Sequence, residues 1–455
     1  MKEKSFSPRD EFAREHAKMT PHCHGRGWRG LLLQFLRRGL LLLPTISVMA
    51  CTTDEPQISE YRFDNGLWFN GASFEGRTGY VESGILRFSN RRREAKKIID
   101  LEGGFVVPPF CEGHNHNIGG SADGVQETVQ QYLEDGVFYA MMPGSFAFYR
   151  SQIADLLNHP NSIDVVFANN GLTGAGGHPR RLRETLMGRY GAYPEFTKDM
   201  MPDKGYFEAD TLVELREKWK LILAEKPDFV KVMLLYSEEY ETRKSNPGFY
   251  GSRGLDPVLL PEVVQLAHSE GLRVAVHVET DFDMATALQA GADIIAHLPS
   301  HSDPMRITDG TIALAKETEA QLITTLSVAK RFEERSPERY AATIDAQRDN
   351  LVRLHRAGVE LTVGSDNVQD TSRGEVEHLA RLEVFDNRTL LNMWTSNCAN
   401  TVFPDRKIGE LKDGFEASFL VLEDNPLRDI NYTRSIQLRM KSGHVLELSN
   451  DVNEL

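Results

Sequence analysis

Cysteine is scarce, with 4 in 455 residues, too few for a disulfide framework to hold so long a chain. Positive charge is also short. Lysine and arginine number 52 against 66 aspartates and glutamates, a net charge of −14; phosphate binding runs on clustered positive charge, so nucleic acid is not an expected partner. No apolar run approaches the ~20 residues that span a bilayer, and no internal repeat or low-complexity tract stands out. What remains is an ordinary globular balance of 40% hydrophobic and 26% charged residues, against both wholesale disorder and a multi-span membrane protein. The length suits one large domain with an appendage, or two to three average ones.

The charge is unevenly spread. Residues 1–50 hold nine basic and four acidic side chains, which leaves the rest strongly acidic. Arg26, Arg29, Arg37 and Arg38 lead into the apolar stretch 39–50, GLLLLPTISVMA, which is short for a membrane span and suits a secretory signal. It ends at Val48-Met49-Ala50-Cys51, where a small residue directly before cysteine resembles the bacterial lipoprotein cleavage motif. Residues 1–50 are therefore expected to be a signal peptide, Cys51 the lipidated first residue of the mature chain, and residues 51–59 a linker. That puts the protein in the bacterial cell envelope, in the periplasm or at the outer membrane, touching the membrane only through its lipid anchor. Plain cleavage near Ala50 and an uncleaved anchor are the alternatives, and a later start at Met19 would shorten the leader. Arg37-Arg38 hints weakly at twin-arginine export, while His22-Cys23-His24 falls within the leader and is discounted as a metal nook.

Residues 60–104 read as short strands with turns, Asp64-Asn65-Gly66 being a tight-turn signal. The pattern then changes to short apolar strands at 105–109, 137–141, 163–168, 229–234, 273–278, 293–297, 322–325 and 360–364. Helical stretches such as 126–134, 212–223, 261–270, 283–290 and 341–357 lie between them. Eight such units over about 300 residues predict an α/β fold, a (β/α)8 barrel over 105–404. Short strands return at 417–422, 436–440 and 444–448. A small β-sandwich domain is thus expected from both ends of the chain, 60–104 and 405–455. The stretch 169–210, rich in Gly and Pro, reads as a long loop after the third strand, at the barrel end where active sites are built.

The strongest chemical signal is Gly113-His114-Asn115-His116 after the first barrel strand. Residues i and i+2 of a strand face the same way, so both imidazoles can reach one ion. Lys231 sits inside the apolar strand DFVKVML, where a free ammonium is costly to bury. His277 ends RVAVHV, His297 ends ADIIAH and Asp366 ends LTVGSD. Six ligand-type side chains in barrel order outweigh the structural role that any one of them would suggest alone.

This series resembles the amidohydrolase superfamily, which places ligands on strands one, four, five, six and eight. The tail TSNCANTV with KIGELKDGFEASFLVLEDNPL is similar to that of the branch containing imidazolonepropionase and metal-dependent dipeptidases. The resemblance implies an N-carboxylated Lys231, a carbamate made from CO2, bridging two divalent ions, zinc by default with manganese or cobalt suited to the same N/O set. His114, His116 and Asp366 would hold the buried ion, and His277 and His297 the exposed one. A hydroxide between the ions would attack an amide-like carbonyl, with Asp366 as the catalytic acid–base. Small-molecule dipeptides, N-acyl amino acids or cyclic amides are the expected substrates. An ester, lactone or phosphotriester hydrolase and a lipid-anchored binding protein are the rivals, and homo-oligomer formation stays open.

Two departures stand out. Val278-Glu279-Thr280 follow His277 where the family has a small residue, with Glu279 read as supporting the site or solvated, and the entry motif begins with Glu112. His178, in the long third loop, and Tyr236, past the Lys231 strand, are candidate substrate contacts. Arg180, Arg181 and Arg183 are candidates for a substrate carboxylate. His301 and His159 read as surface or supporting residues. Cys111 points away from His114 by its odd offset; Cys111 and Cys398 could pair, and are read as free small hydrophobes.

Overall fold

The structure, a computed structural model, describes residues 58–448; the expected signal peptide, Cys51 and most of the linker lie outside the described residues. No described helix is long and apolar enough to cross a membrane.

Eight strands from both ends of this span form one sheet. Ser59–Phe69 is its hub: it pairs antiparallel with Phe74–Glu82 and parallel with Ala95–Asp100 and with Phe105–Val107. Phe105–Val107 in turn pairs antiparallel with Phe419–Leu422, which continues to Ile436–Lys441 and His444–Val445. Strands from the two stretches expected to build the small β domain are thus joined in one hydrogen-bonded sheet. The structure corrects the first barrel strand. Phe105–Val107 belongs to this sheet, and the barrel ladder begins at Phe110–Glu112. Pro108 and Pro109 between them have no N–H to donate, which ends one ladder before the next begins.

The parallel strands fall into two ladders rather than one closed barrel. Phe110–Glu112, Val137–Met142 and Asp164–Phe167 form the first. The second runs through Phe207–Glu208, Gly171–Thr173, Val230–Met233, Val274–His277, Ile294–Ile295, Gln321–Ile323 and Leu361–Thr362. Hydrogen bonds outside the ladders bridge the seams, among them Gly113 N–H to the Val363 carbonyl at 2.9 Å and Asp228 N–H to the Phe167 carbonyl at 2.8 Å. The ladders are short because the chain turns away at the strand ends: Asn169, Tyr236, Thr325 and Asp366 all have positive φ. Left-handed backbone at non-glycine residues is a local cost that surrounding structure must impose.

Helices cover the strands. Ser121 caps Ala122–Glu134 through the Gly124 N–H, and Thr280 and Asp283 form a capping box on Asp281–Gln289. The third loop is not featureless as expected: it contains the strand Gly171–Thr173, the helix Arg180–Tyr190 and the strand Phe207–Glu208. One apolar core runs from Trp68 and Phe419 in the sheet to Val276 and Leu322 in the barrel strands. Phe110 stacks on Trp394 with ring centroids 3.8 Å apart. Beside them Cys111 and Cys398, both fully buried, are joined as a disulfide, against the reading of two free thiols.

Candidate metal centre

The two ends of the barrel order meet at the centre. Asp366 and Ser365 donate backbone N–H groups to the His114 carbonyl at 2.7 and 3.1 Å. The approach is so close that a Cβ on Gly364 would stand 2.8 Å from the His114 nitrogen, and one on Gly113 2.7 Å from the Val363 carbonyl oxygen. Both positions need glycine. Behind them the buried Glu112 accepts the His114 N–H at 3.0 Å, the Ser365 N–H at 2.8 Å and the Ser365 hydroxyl at 2.6 Å. Burial pushes this carboxyl up to about 8, against donors that favour its anion. Asn115, between the two histidines, reaches the Ser365 hydroxyl at 2.9 Å and the Asp370 carbonyl at 3.0 Å.

On this support His114, His297 and Asp366 bring ligand-type atoms within 4.8 Å of one another. His116 joins them, with its Nε2 3.2 Å from His114 Nε2 and 3.4 Å from Asp366 Oδ1. Its Nδ1 meets the Gly144 carbonyl at 3.1 Å, so the Nδ1–H donates there and Nε2 carries the lone pair. His297 Nδ1 is 2.9 Å from the Thr325 hydroxyl. The His277 ring lies 4.6 Å from that of His297, with Nε2 turned to Glu279 Oε1 at 3.1 Å.

The electrostatics suit cations that arrive from outside. Burial, then the charges of neighbours, holds His114 and His297 well below the ordinary imidazole range, and burial lowers His116 too. Neutral imidazoles are the form that binds metal. Lys231 is 1% exposed, its Nζ has no hydrogen-bond partner among the described residues, and burial lowers it to about 7. Burial opposes ionisation of Glu279, yet His301 and His277 outweigh it and hold the carboxyl down to about 2.

Of the candidate substrate contacts, His178 stacks on His277 at 5.3 Å, and burial lowers its ring to about 3. Tyr236 starts the turn after the Lys231 strand, its ring 3.7 Å beneath the Arg243 guanidinium. His301 is not a surface residue: it is buried, 5.0 Å from the His297 ring and 3.7 Å from Glu279 Oε2. His159 lies apart, its carbonyl taking the Lys441 ammonium at 3.0 Å.

Four supporting residues escaped the sequence reading of roles: Glu112, Asn115, Thr325 and Asp283. Asp283 collects the backbone N–H groups of Tyr236, Ser237, Glu279 and Thr280, tying the fourth strand end to the fifth. An acid directly before Gly-His-Asn-His, in an otherwise apolar strand, was the available signal for Glu112. The spacing Thr280-x-x-Asp283 marks a helix start, but not the reach of Asp283 to Tyr236 and Ser237.

The family model described as "Amidohydrolase family" matches residues 105–446. Ochratoxinase of Aspergillus niger is 25% identical over 261 residues, 54% of this chain and 51% of the relative. The chain thus spans about half the length of the curated relatives it matches. Among solved structures, A. niger ochratoxinase superimposes with a TM-score of 0.68 at 17% identity, covering 85% of this chain and 96% of that one. A Xaa-Pro dipeptidase with bound methionine gives 0.67 at 16% identity, covering 85% and 99%. Molinate hydrolase gives 0.68 at 18% identity, covering 88% and 97%. At such identities these likenesses show the fold.

Proposed function

The chain belongs to the amidohydrolase family, and from that premise we propose that it is a metal-dependent hydrolase of an amide-like carbon–nitrogen bond. One observation carries the reading: the unpartnered, buried Lys231 amine stands among His114, His297 and Asp366, whose ligand atoms converge within 4.8 Å. A buried cation there is costly, and conversion to a carbamate would replace it with an anionic oxygen ligand. His114, His116 and Asp366 would hold one divalent ion and His277 and His297 a second, with carboxylated Lys231 between them. Zinc is the default, with manganese or cobalt suited to the same donors. Such ions would polarise a carbonyl and bring the pKa of water toward neutrality.

The chain's own residues supply the rest. Asp366 accepts the attacking water's proton on a carboxylate oxygen and delivers it to the leaving nitrogen as the carbon–nitrogen bond breaks, giving a carboxylic acid and an amine. Glu112 and the His114 carbonyl fix the turn that aims Asp366. His178 and Tyr236 line the approach and contact the substrate. Dipeptides, N-acyl amino acids and cyclic amides are the substrates to assay, with lactones as the contrast, on metal-loaded and chelator-treated protein. Chelator-sensitive release of an amine supports the reading; lactone cleavage alone overturns the carbon–nitrogen assignment, and ammonia release with a single ion per chain points to a deaminase.

The envelope location rests on the sequence ahead of the described residues, where the apolar stretch 39–50 ends at Cys51. The Cys111–Cys398 pair supports it, since disulfides persist in oxidising compartments. Mass spectrometry of mature protein from a bacterial envelope should find a lipid on Cys51, and an unmodified mature Cys51 contradicts the anchor.

A further inference from the structure

The helix Arg180–Tyr190 carries three arginines near its start and treats each differently. Arg180 is ion-paired with Glu184 at 3.4 Å and Glu208 at 3.3 Å. Arg181 is exposed. Arg183 is the buried residue of this helix, 8% exposed, and no carboxylate stands in ion-pair reach of it among the described residues. Its Nη1 donates to the Tyr193 hydroxyl at 2.6 Å, and the guanidinium lies 4.6 Å from the Phe146 ring centroid and 5.1 Å from that of Tyr193. These partners are all neutral. They soften the burial of a cation but do not neutralise it.

The guanidinium stands next to the metal centre. A Cβ on Gly144 would lie 2.8 Å from His116 Cε1 and 3.8 Å from Arg183 Nη2, so bare glycine backbone is the partition between them. Nε and Nη2 make no hydrogen bond among the described residues, which leaves an edge of the planar fork open. That edge is the geometry that takes a carboxylate through two parallel N–H bonds.

We propose that Arg183 receives a carboxylate of the substrate, which narrows the amides cleaved to those with a free carboxylate beside the scissile nitrogen, as in N-acyl amino acids and dipeptides. The inference rests on the hydrolase reading, yet it can be tested without turnover. In 4-oxo-4-phenylbutanoate a CH2 replaces the nitrogen of an N-benzoyl amino acid, so there is no bond to cleave; 4-oxo-4-phenylbutanamide is its neutral mate. Calorimetric binding of both to the zinc-loaded chain should favour the carboxylate by about tenfold or more, the scale of one charge-assisted pair. In Arg183→Met the ratio should fall to near one. Arg183→Gln, which can still reach Tyr193, is the second variant should the first not fold, and the same collapse is expected. A wild-type ratio near one, no binding of the carboxylate at millimolar concentration, or a ratio that survives in a folded variant overturns the assignment. None of these outcomes touches the hydrolase reading, which stands on chelator-sensitive amide cleavage.

Discussion

Glu112 holds Ser365 at two points, accepting its backbone N–H at 2.8 Å and its hydroxyl at 2.6 Å across 253 positions of sequence. One buried carboxyl thereby joins the turn that carries His114 and His116 to the turn that carries Asp366. Truncating it leaves the N–H groups of His114 and Ser365 without their acceptor. Glu112→Ala should lower the unfolding free energy by about 3 kcal/mol or more, since each stranded buried donor costs ~1–3 kcal/mol. Metal content by elemental analysis should fall with it. A variant of unchanged stability and full metal content contradicts this positioning role.

Acid should weaken the fold through His378. This ring is 2% exposed, meets Gln347 Oε1 at 2.8 Å, and is lowered to about 3 by burial and then by the Lys330 charge. Its folded pKa lies below the ordinary value of ~6.5, so the unfolded chain takes up the proton first. The stability is complete above that value and is lost as pH falls toward 3. Urea unfolding should show roughly 3 kcal/mol less stability from this group at pH 4 than at pH 7. His378→Gln should flatten that dependence; an unaltered slope contradicts it.

The candidate histidines and aspartate stood out in the sequence because each lies at or near the end of an apolar run, where a polar residue is conspicuous. His114, His277, His297 and Asp366 could be found that way. The sequence did not reveal that Phe105–Val107 joins the other sheet, because an apolar triplet suits either one and the two prolines after it decide the matter through missing N–H groups. Nor did it reveal Asp283 or Glu375. Glu375 accepts the Leu326 and Ser327 N–H groups at 2.8 and 2.7 Å. Glu375 serves backbone groups distant in sequence, as Asp283 does at Tyr236 and Ser237 beyond its own capping box, and such partners leave no periodic mark. The three arginines of the third loop looked alike until burial separated Arg183 from Arg180 and Arg181.

Lys231 should be indispensable to metal binding. At about 7, its amine is free often enough at neutral pH to add CO2, which an ordinary lysine near 10.4 is not. Lys231→Ala should lose at least one ion per chain, and turnover should fall by more than the ~10–100-fold that loss of an outer partner costs. A short carboxylic acid should restore part of it. Two bound ions and full turnover in Lys231→Ala would refute the bridging role.

If these side chains perform metal-dependent hydrolysis with Asp366 moving the proton, Asp366→Asn should separate metal binding from turnover. The change preserves size and one oxygen ligand while removing the base. Compared with wild type at matched metal content, the folded variant should lose turnover of its amide substrate by roughly 10²–10⁴-fold, the contribution of a positioned acid–base group. Substrate affinity should change far less. Turnover within a few-fold of wild type at equal metal content would contradict the role of Asp366 and the mechanism built on it.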